Sequence, residues 1–185
     1  MKKIIIAVII LLVAVSGGFA QDNTVYGGVG LGVGIPCIID GEVFISYEHS
    51  IIPQLSVGGS VAFQMYPLAT FAMVFDDLLG GEDVVESIFT PIIEAQVHWY
   101  PFEGSFHVDL GLGYANYLSS MDTFLIAPGL GWLFDFGEPG GFVVNIGLRT
   151  EFFIPFGDSI IKKDNGDDLI PVNYLTFRLG LGYRF

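Results

Sequence analysis

The sequence contains a single cysteine, Cys37, among 185 residues. No disulfide can form within the chain, so packing and backbone hydrogen bonding must hold the fold. Basic residues are also scarce, with 7 Lys and Arg against 20 Asp and Glu and a formal net charge of −13. That balance excludes nucleic acid as a partner, because phosphate binding requires clustered Lys and Arg. Beyond Ala20 there is no long hydrophobic run of the kind that forms a membrane helix, although 52% of the residues are hydrophobic and 15% aromatic. High hydrophobicity without apolar runs means that the apolar residues are interleaved with others.

The one unbroken apolar run is at the N-terminus. Met1-Lys2-Lys3 precedes Ile4 to Val15, and Ser16-Gly17-Gly18-Phe19-Ala20 leads into the polar Gln21-Asp22-Asn23. This core is shorter than the roughly 20 apolar residues that span a bilayer as a helix, and Gly18 and Ala20 suit a signal-peptidase site. Residues 1–20 are therefore expected to be a cleaved signal peptide, and residues 21–185 a single domain.

The interleaving has period two, which marks strands whose two faces meet different environments. Leu175, Phe177, Leu179, Leu181, Tyr183 and Phe185 share one face, and Thr176, Arg178, Gly180, Gly182 and Arg184 the other. Phe106, Val108, Leu110, Leu112 and Tyr114 likewise oppose His107, Asp109, Gly111 and Gly113. Read this way, the chain divides into eight strands. The first four run near Thr24 to Ile35, Glu42 to His49, Leu55 to Tyr66 and Ile88 to Tyr100. The second four run near Phe106 to Leu118, Phe124 to Phe136, Phe142 to Phe156 and Tyr174 to Phe185. The connections Ser50 to Gln54, Pro101 to Ser105 and Gly137 to Gly141 are short and rich in Gly or Pro, as tight turns are. The alternate connections include two long polar insertions, Pro67 to Ser87 and Gly157 to Asn173. Short periplasmic turns and longer extracellular loops are the pattern of bacterial outer-membrane barrels, and an even strand number places both termini in the periplasm. The expected fold is all-β, an eight-stranded antiparallel up-and-down transmembrane β-barrel.

A soluble barrel would turn its apolar face inward around a ligand. Here that face carries bulky residues on every strand, more than a narrow eight-stranded lumen holds, while the other face mixes glycine with charge. Aromatics gather near proposed strand ends, as interfacial girdles require. Trp99, Tyr100 and Phe102 adjoin one turn and Trp132, Phe134 and Phe136 another, with Trp99 and Trp132 the clearest girdle residues. Arg149, Arg178 and Arg184 all fall on the inward face, as do Glu42, Glu48, Glu94, Asp109, Asp135 and Glu151. Buried charges must be paired or solvated. A lumen charge network is expected from Arg149, Arg178 and Arg184 with Glu94, Asp109 and Glu151, Arg178 also reaching residues of the first strand across the closure.

In these residues the chain resembles the small eight-stranded outer-membrane barrels, the group containing the OmpA transmembrane domain, OmpX and OmpW. The most specific part is the C-terminal alternation through Phe177, Leu179, Leu181, Tyr183 and terminal Phe185, similar to the signal read by the barrel-assembly machinery. A second part, Trp99-Tyr100-Pro101-Phe102-Glu103-Gly104-Ser105 followed by Leu110-Gly111-Leu112-Gly113-Tyr114, is similar to the aromatic-Pro turn and Gly-Leu-Gly-Tyr strand of such barrels. The resemblance implies residence in the outer membrane among lipid and lipopolysaccharide, assembly by that machinery, and host or surface ligands at the loops.

Chemistry is thinly represented. His98 and His107 flank a periplasmic turn, His98 opposite Asp109, and no nucleophile and base assemble around them, so the chain is not read as an enzyme. Asp164-Asn165-Gly166-Asp167-Asp168 lacks the spacing and terminal Glu of a calcium loop. Gly27 to Gly34 lacks the G-x-G-x-x-G spacing and precedes no helix. Neither metal nor cofactor is expected. Two functions remain. One is a structural or surface-interaction barrel with acidic loops, including Asp76, Asp77, Glu82, Asp83 and Glu86. The other is OmpW-like passage of small hydrophobic molecules through a lateral opening, for which Pro91 and Pro128 within strands provide a reason.

Overall fold

A computed structural model of the chain describes residues 23–34, 38–65, 89–102, 104–117, 121–136, 141–156 and 172–185. They form β1 (Asn23–Gly34), β2 (Ile38–Ile52), β3 (Leu55–Met65), β4 (Phe89–Trp99), β5 (Phe106–Tyr117), β6 (Met121–Phe136), β7 (Phe142–Pro155) and β8 (Val172–Arg184). Each strand pairs antiparallel with the next, and β8 returns to β1 to close the barrel, from Thr24 opposite Arg184 to Gly34 opposite Tyr174. Closure removes every open sheet edge, which is the condition for strands to cross a bilayer.

Six strand boundaries fall within two residues of the sequence expectation, and β2 and β6 do not. β2 begins at Ile38 because Asp40-Gly41, which has the composition of a turn, stays in the ladder: Gly41 pairs with Leu31 and Met65, and Asp40 packs inward over Gly32. At its other end β2 runs to Ile52 through a register shift between Ser50 and Ile52, leaving only Pro53 and Gln54 as the turn. An added bulge residue of this kind lets a strand bend without ending. β6 starts at Met121, its first residues held by Tyr117 and Asn116 of β5.

The alternation sorts the side chains as the period-two pattern requires. Outward positions stay exposed even when large, with Leu31 at 67%, Ile45 at 58% and Leu181 at 54%. Val, Leu, Ile and Phe recur in this way on every strand, a continuous apolar band that water would penalise and bilayer hydrocarbon accepts. Inward positions are buried and largely polar, including Glu42, Gln64, Glu94, Arg149, Glu151 and Arg178. A ligand-holding apolar lumen is thereby excluded, and the molecule is a transmembrane barrel built on strands. Among the described residues no helix is long and apolar enough to cross a membrane.

Candidate functional site

Among the described residues charged side chains converge in the lumen, and the strand register explains how. Glu42 of β2, Glu94 of β4, Arg149 and Glu151 of β7, and Arg178 of β8 all occupy inward positions. Arg149 donates from both terminal nitrogens to Glu94, Nη1 to Oε1 at 2.7 Å and Nη2 to Oε2 at 2.5 Å, a two-pronged pair that crosses the lumen from β7 to β4. Its Nε lies 3.3 Å from Glu151 Oε1. Arg178 donates from Nε to Glu42 Oε2 at 2.9 Å and from Nη2 to Glu42 Oε1, crossing from β8 to β2. Arg178 Nη1 also reaches Glu94 Oε1 at 3.3 Å, and Nη2 lies 3.5 Å from Glu151 Oε1. Two guanidinium groups thus tie three carboxylates from three strands.

Neutral side chains complete the network. Ser60 Oγ donates to Glu94 Oε1 at 2.6 Å, and Gln96 Nε2 donates to the same oxygen at 2.5 Å. Gln64 Nε2 donates to Glu151 Oε2 at 2.5 Å from the opposite wall, and Thr176 Oγ1 donates to that oxygen at 3.3 Å. The Phe44 ring lies beneath the Arg178 guanidinium, 4.9 Å from its carbon to the ring centroid, a cation–π placement. Buried charges are tolerated only with such pairing and hydrogen bonding. Glycine makes the room: a β-carbon on Gly30 would lie 2.9 Å from Glu42 Oε2, and one on Gly111 2.5 Å from Glu94 Oε2. The cavity beside the network, lined by Tyr26, Phe44, His107, Asp109, Arg149 and Arg178 among others, holds about 30 Å³, enough for a water molecule and little more.

Four residues named from the sequence therefore meet, namely Arg149, Arg178, Glu94 and Glu151. Two do not join them. Arg184 sits at the rim that carries the β2–β3 turn, where Nη1 donates to Asp135 Oδ2 at 2.6 Å and Nε to Thr24 Oγ1 at 3.2 Å, and the Asp135 side chain is 46% exposed. Asp109 is half-buried, its carboxylate leaning over Gly129, where a β-carbon would fall 2.2 Å from Oδ1. The expectation that Arg178 finds first-strand partners is corrected as well. Inward β1 positions facing it are glycines, so the guanidinium passes over Gly30 to Glu42 on β2.

Nearer that rim, His98 stands opposite Asp109 in the ladder but turns to a different acid. His98 Nδ1 lies 3.6 Å from Glu48 Oε2, and its ring stacks on His107 at 5.2 Å between centroids. Glu48 accepts a 2.6 Å hydrogen bond from the Tyr100 hydroxyl. Tyr100 is consequently an inward, buried residue and not part of a girdle, because its hydroxyl is the donor that Glu48 needs. Trp99 and Trp132 do face outward, 54% and 42% exposed, with Trp132 packed against Phe106 at 5.3 Å. Phe177, Leu179, Leu181, Tyr183 and Phe185 also project outward. Among the described residues no group of three His, Cys, Asp or Glu side chains could hold a metal ion. The expected signal peptide at residues 1–20, Cys37, the acidic residues of 76–86, and residues 164–168 lie outside the described residues.

No protein-family model matches the sequence, and no curated protein matches it. Among solved structures, the chain is similar to Ail, the attachment invasion locus protein of Yersinia pestis, in complex with the heparin analogue sucrose octasulfate. Identity is 15% over 90% of this chain and 100% of that one, with a TM-score of 0.45. The backbone of the same Ail protein in a phospholipid bilayer nanodisc gives 14% identity over 90% and 100% of the two chains, at 0.45. A structure from the de novo design of transmembrane β-barrels gives 10% identity over 88% and 95%, at 0.41.

Proposed function

We propose that this chain is an integral outer-membrane barrel with a closed lumen, serving a structural role or a surface-interaction role through its acidic loops. The observation that supports the reading is the pair of buried ion pairs, Arg149 to Glu94 and Arg178 to Glu42, which cross the lumen in two directions beside a cavity of about 30 Å³. A barrel closed in this way has its walls and its loops left to work with. The outward apolar band fits it to lipid, and the short turn at Pro53 and Gln54 lies at the same end as Asn23 and Phe185, the arrangement of periplasmic turns and termini. The excess of acid in the 76–86 segment suits hydrated contact with ions, neighbours or host molecules.

The second reading, passage of hydrophobic molecules through the wall, has its own support. The β4–β5 register begins at Ile92 opposite Ala115, so Pro91 of β4 lies just beyond its last rung, toward Asn116 and Tyr117 of β5. The β6–β7 ladder likewise skips Ala127 and Pro128. Proline has no N–H to donate, so each site is a weak rung. One reconstitution separates the readings. Purified barrel in planar bilayers should show no large steady conductance, and in vesicles no uptake of a labelled hydrophobic solute above empty vesicles. Steady conductance would sink the plug; uptake without conductance would move the function to the wall.

The terminal strand supports assembly by the outer-membrane machinery. Phe185 ends the outward row, and its backbone exchanges two hydrogen bonds with Asn23, N to O at 2.8 Å and O from N at 2.9 Å, at the closing seam. Deleting Phe185 should abolish the heat-modifiable band in cell envelopes while unassisted refolding in detergent survives. Failure of both would assign the defect to the lost seam bonds, and success of both would remove the assembly role.

A further inference from the structure

The outward wall is not uniformly bulky. Gly59 of β3 and Ala95 of β4 stand opposite each other, the only facing outward pair among the described strands in which neither side chain exceeds a methyl group. Tyr47, the neighbour of Gly59 on β2, does not cover the gap. Its hydroxyl donates to Asn23 Oδ1 at 2.7 Å, drawing the ring toward β1. His49 Nδ1 lies 2.9 Å from the same oxygen, and since an amide carbonyl only accepts, His49 donates there too. The result is a groove of about 510 Å³ in the outer wall, floored by Gly59 and bordered by Val25, Ile45, Tyr47, Val61, Ile93 and Ala95. Tyr47 alone of this polar cluster lines the groove, and Asn23 and His49 lie beside it toward the end of the barrel that carries the Pro53–Gln54 turn.

We infer that this groove binds a phospholipid of the periplasmic leaflet, one acyl chain along Gly59 and Ala95 and the ester and headgroup region at Tyr47, Asn23 and His49. The inference rests on the transmembrane reading of the wall. An unfilled furrow in the hydrocarbon forfeits the dispersion contacts of its lining, so it takes the apolar occupant at hand. The occupant must be thin, apolar along its length and polar at one end, because the groove is apolar above and hydrogen-bonding below. A second copy of the barrel offers a convex wall of Leu and Phe, which meets another convex wall along a line and does not enter a furrow. Polar contacts at an aromatic-bearing end belong at the membrane interface, where headgroups lie, and exposed Trp99 lies two outward positions beyond Ala95 on β4, toward the same end of the barrel.

The test is native mass spectrometry of the full barrel, refolded into dioleoylphosphatidylethanolamine vesicles and extracted in mild detergent. The unaltered chain should retain one lipid. Ala95→Phe fills the groove from an outward position and should lower the retained fraction at least about tenfold, the effect of losing roughly two buried methylenes. Leu148→Phe on the far wall should leave retention unchanged. Equal retention in all three proteins, or a mass of two chains with no lipid, overturns the proposal. A chain that neither floats with vesicles nor shows a heat-modifiable band fails the transmembrane reading, whereas an inserted barrel without a lipid adduct fails only the groove.

Discussion

Replacing Arg178 with alanine should lower the unfolding free energy of the barrel in detergent by about 3–5 kcal/mol, the cost of removing one partner from a buried ion pair. The asymmetry of the network fixes which residue matters most. Glu94 is held by both guanidinium groups and Glu151 has Arg149 beside it, but Glu42 has Arg178 as its single cationic partner among the described residues. Taking Arg178 away leaves Glu42 buried and unpaired, and strips a second contact from Glu94 and Glu151. The loss is therefore one of compensation more than of attraction. For that reason Arg178→Leu combined with Glu42→Leu should be less destabilised than Arg178→Ala alone, since the double change removes the charge that the single change orphans. Urea titration followed by the heat-modifiable gel shift reads both. A double variant at least as unstable as the single one would mean that the pair contributes net attraction, and the compensation argument would fail.

The wall of the barrel was legible in the sequence because a bilayer enforces strict alternation. Each of Leu175, Phe177, Leu179 and Leu181 must face lipid, so parity alone assigns the inward side of β8 and with it Arg178. Parity also placed Glu94, Arg149 and Glu151 inward. What it does not carry is depth along the barrel and reach across it. Arg184 and Arg178 share a face, yet one ends at the rim beside exposed Asp135 and the other at the centre, six residues of rise apart. Opposition in a ladder also misleads where side chains are long. His98 and Asp109 are direct neighbours, but glycine at 129 leaves the aspartate room on one side while the histidine turns to Glu48 on the other. Asp40-Gly41 falls outside the strand expected from Glu42 for a related reason: turn-forming composition says nothing about whether an inward glycine on the next strand, Gly32, leaves a seat for the aspartate.

The glycines of the inward face belong to two groups, and their substitutions should separate sharply. A β-carbon on Gly28 would lie 2.0 Å from the Leu179 carbonyl oxygen, 2.7 Å from the Gly180 Cα and 2.8 Å from the Leu179 carbonyl carbon. All three atoms are backbone of β8, and Gly28 faces Gly180 in the closing ladder. They cannot recede without pulling β1 from β8. Gly147, also inward, would place its β-carbon no nearer than 3.6 Å to Asn145 Oδ1, an ordinary contact. Gly28→Ala should therefore cost at least about 3 kcal/mol, the upper range of overpacking because the obstacle is main chain, and should leave little or no closed barrel by the gel shift. Gly147→Ala should fold as the unaltered chain does. Closed barrel in both variants would show that the β1–β8 seam has slack, and with it the premise that glycine at 28 sets the approach of the two closing strands would be lost.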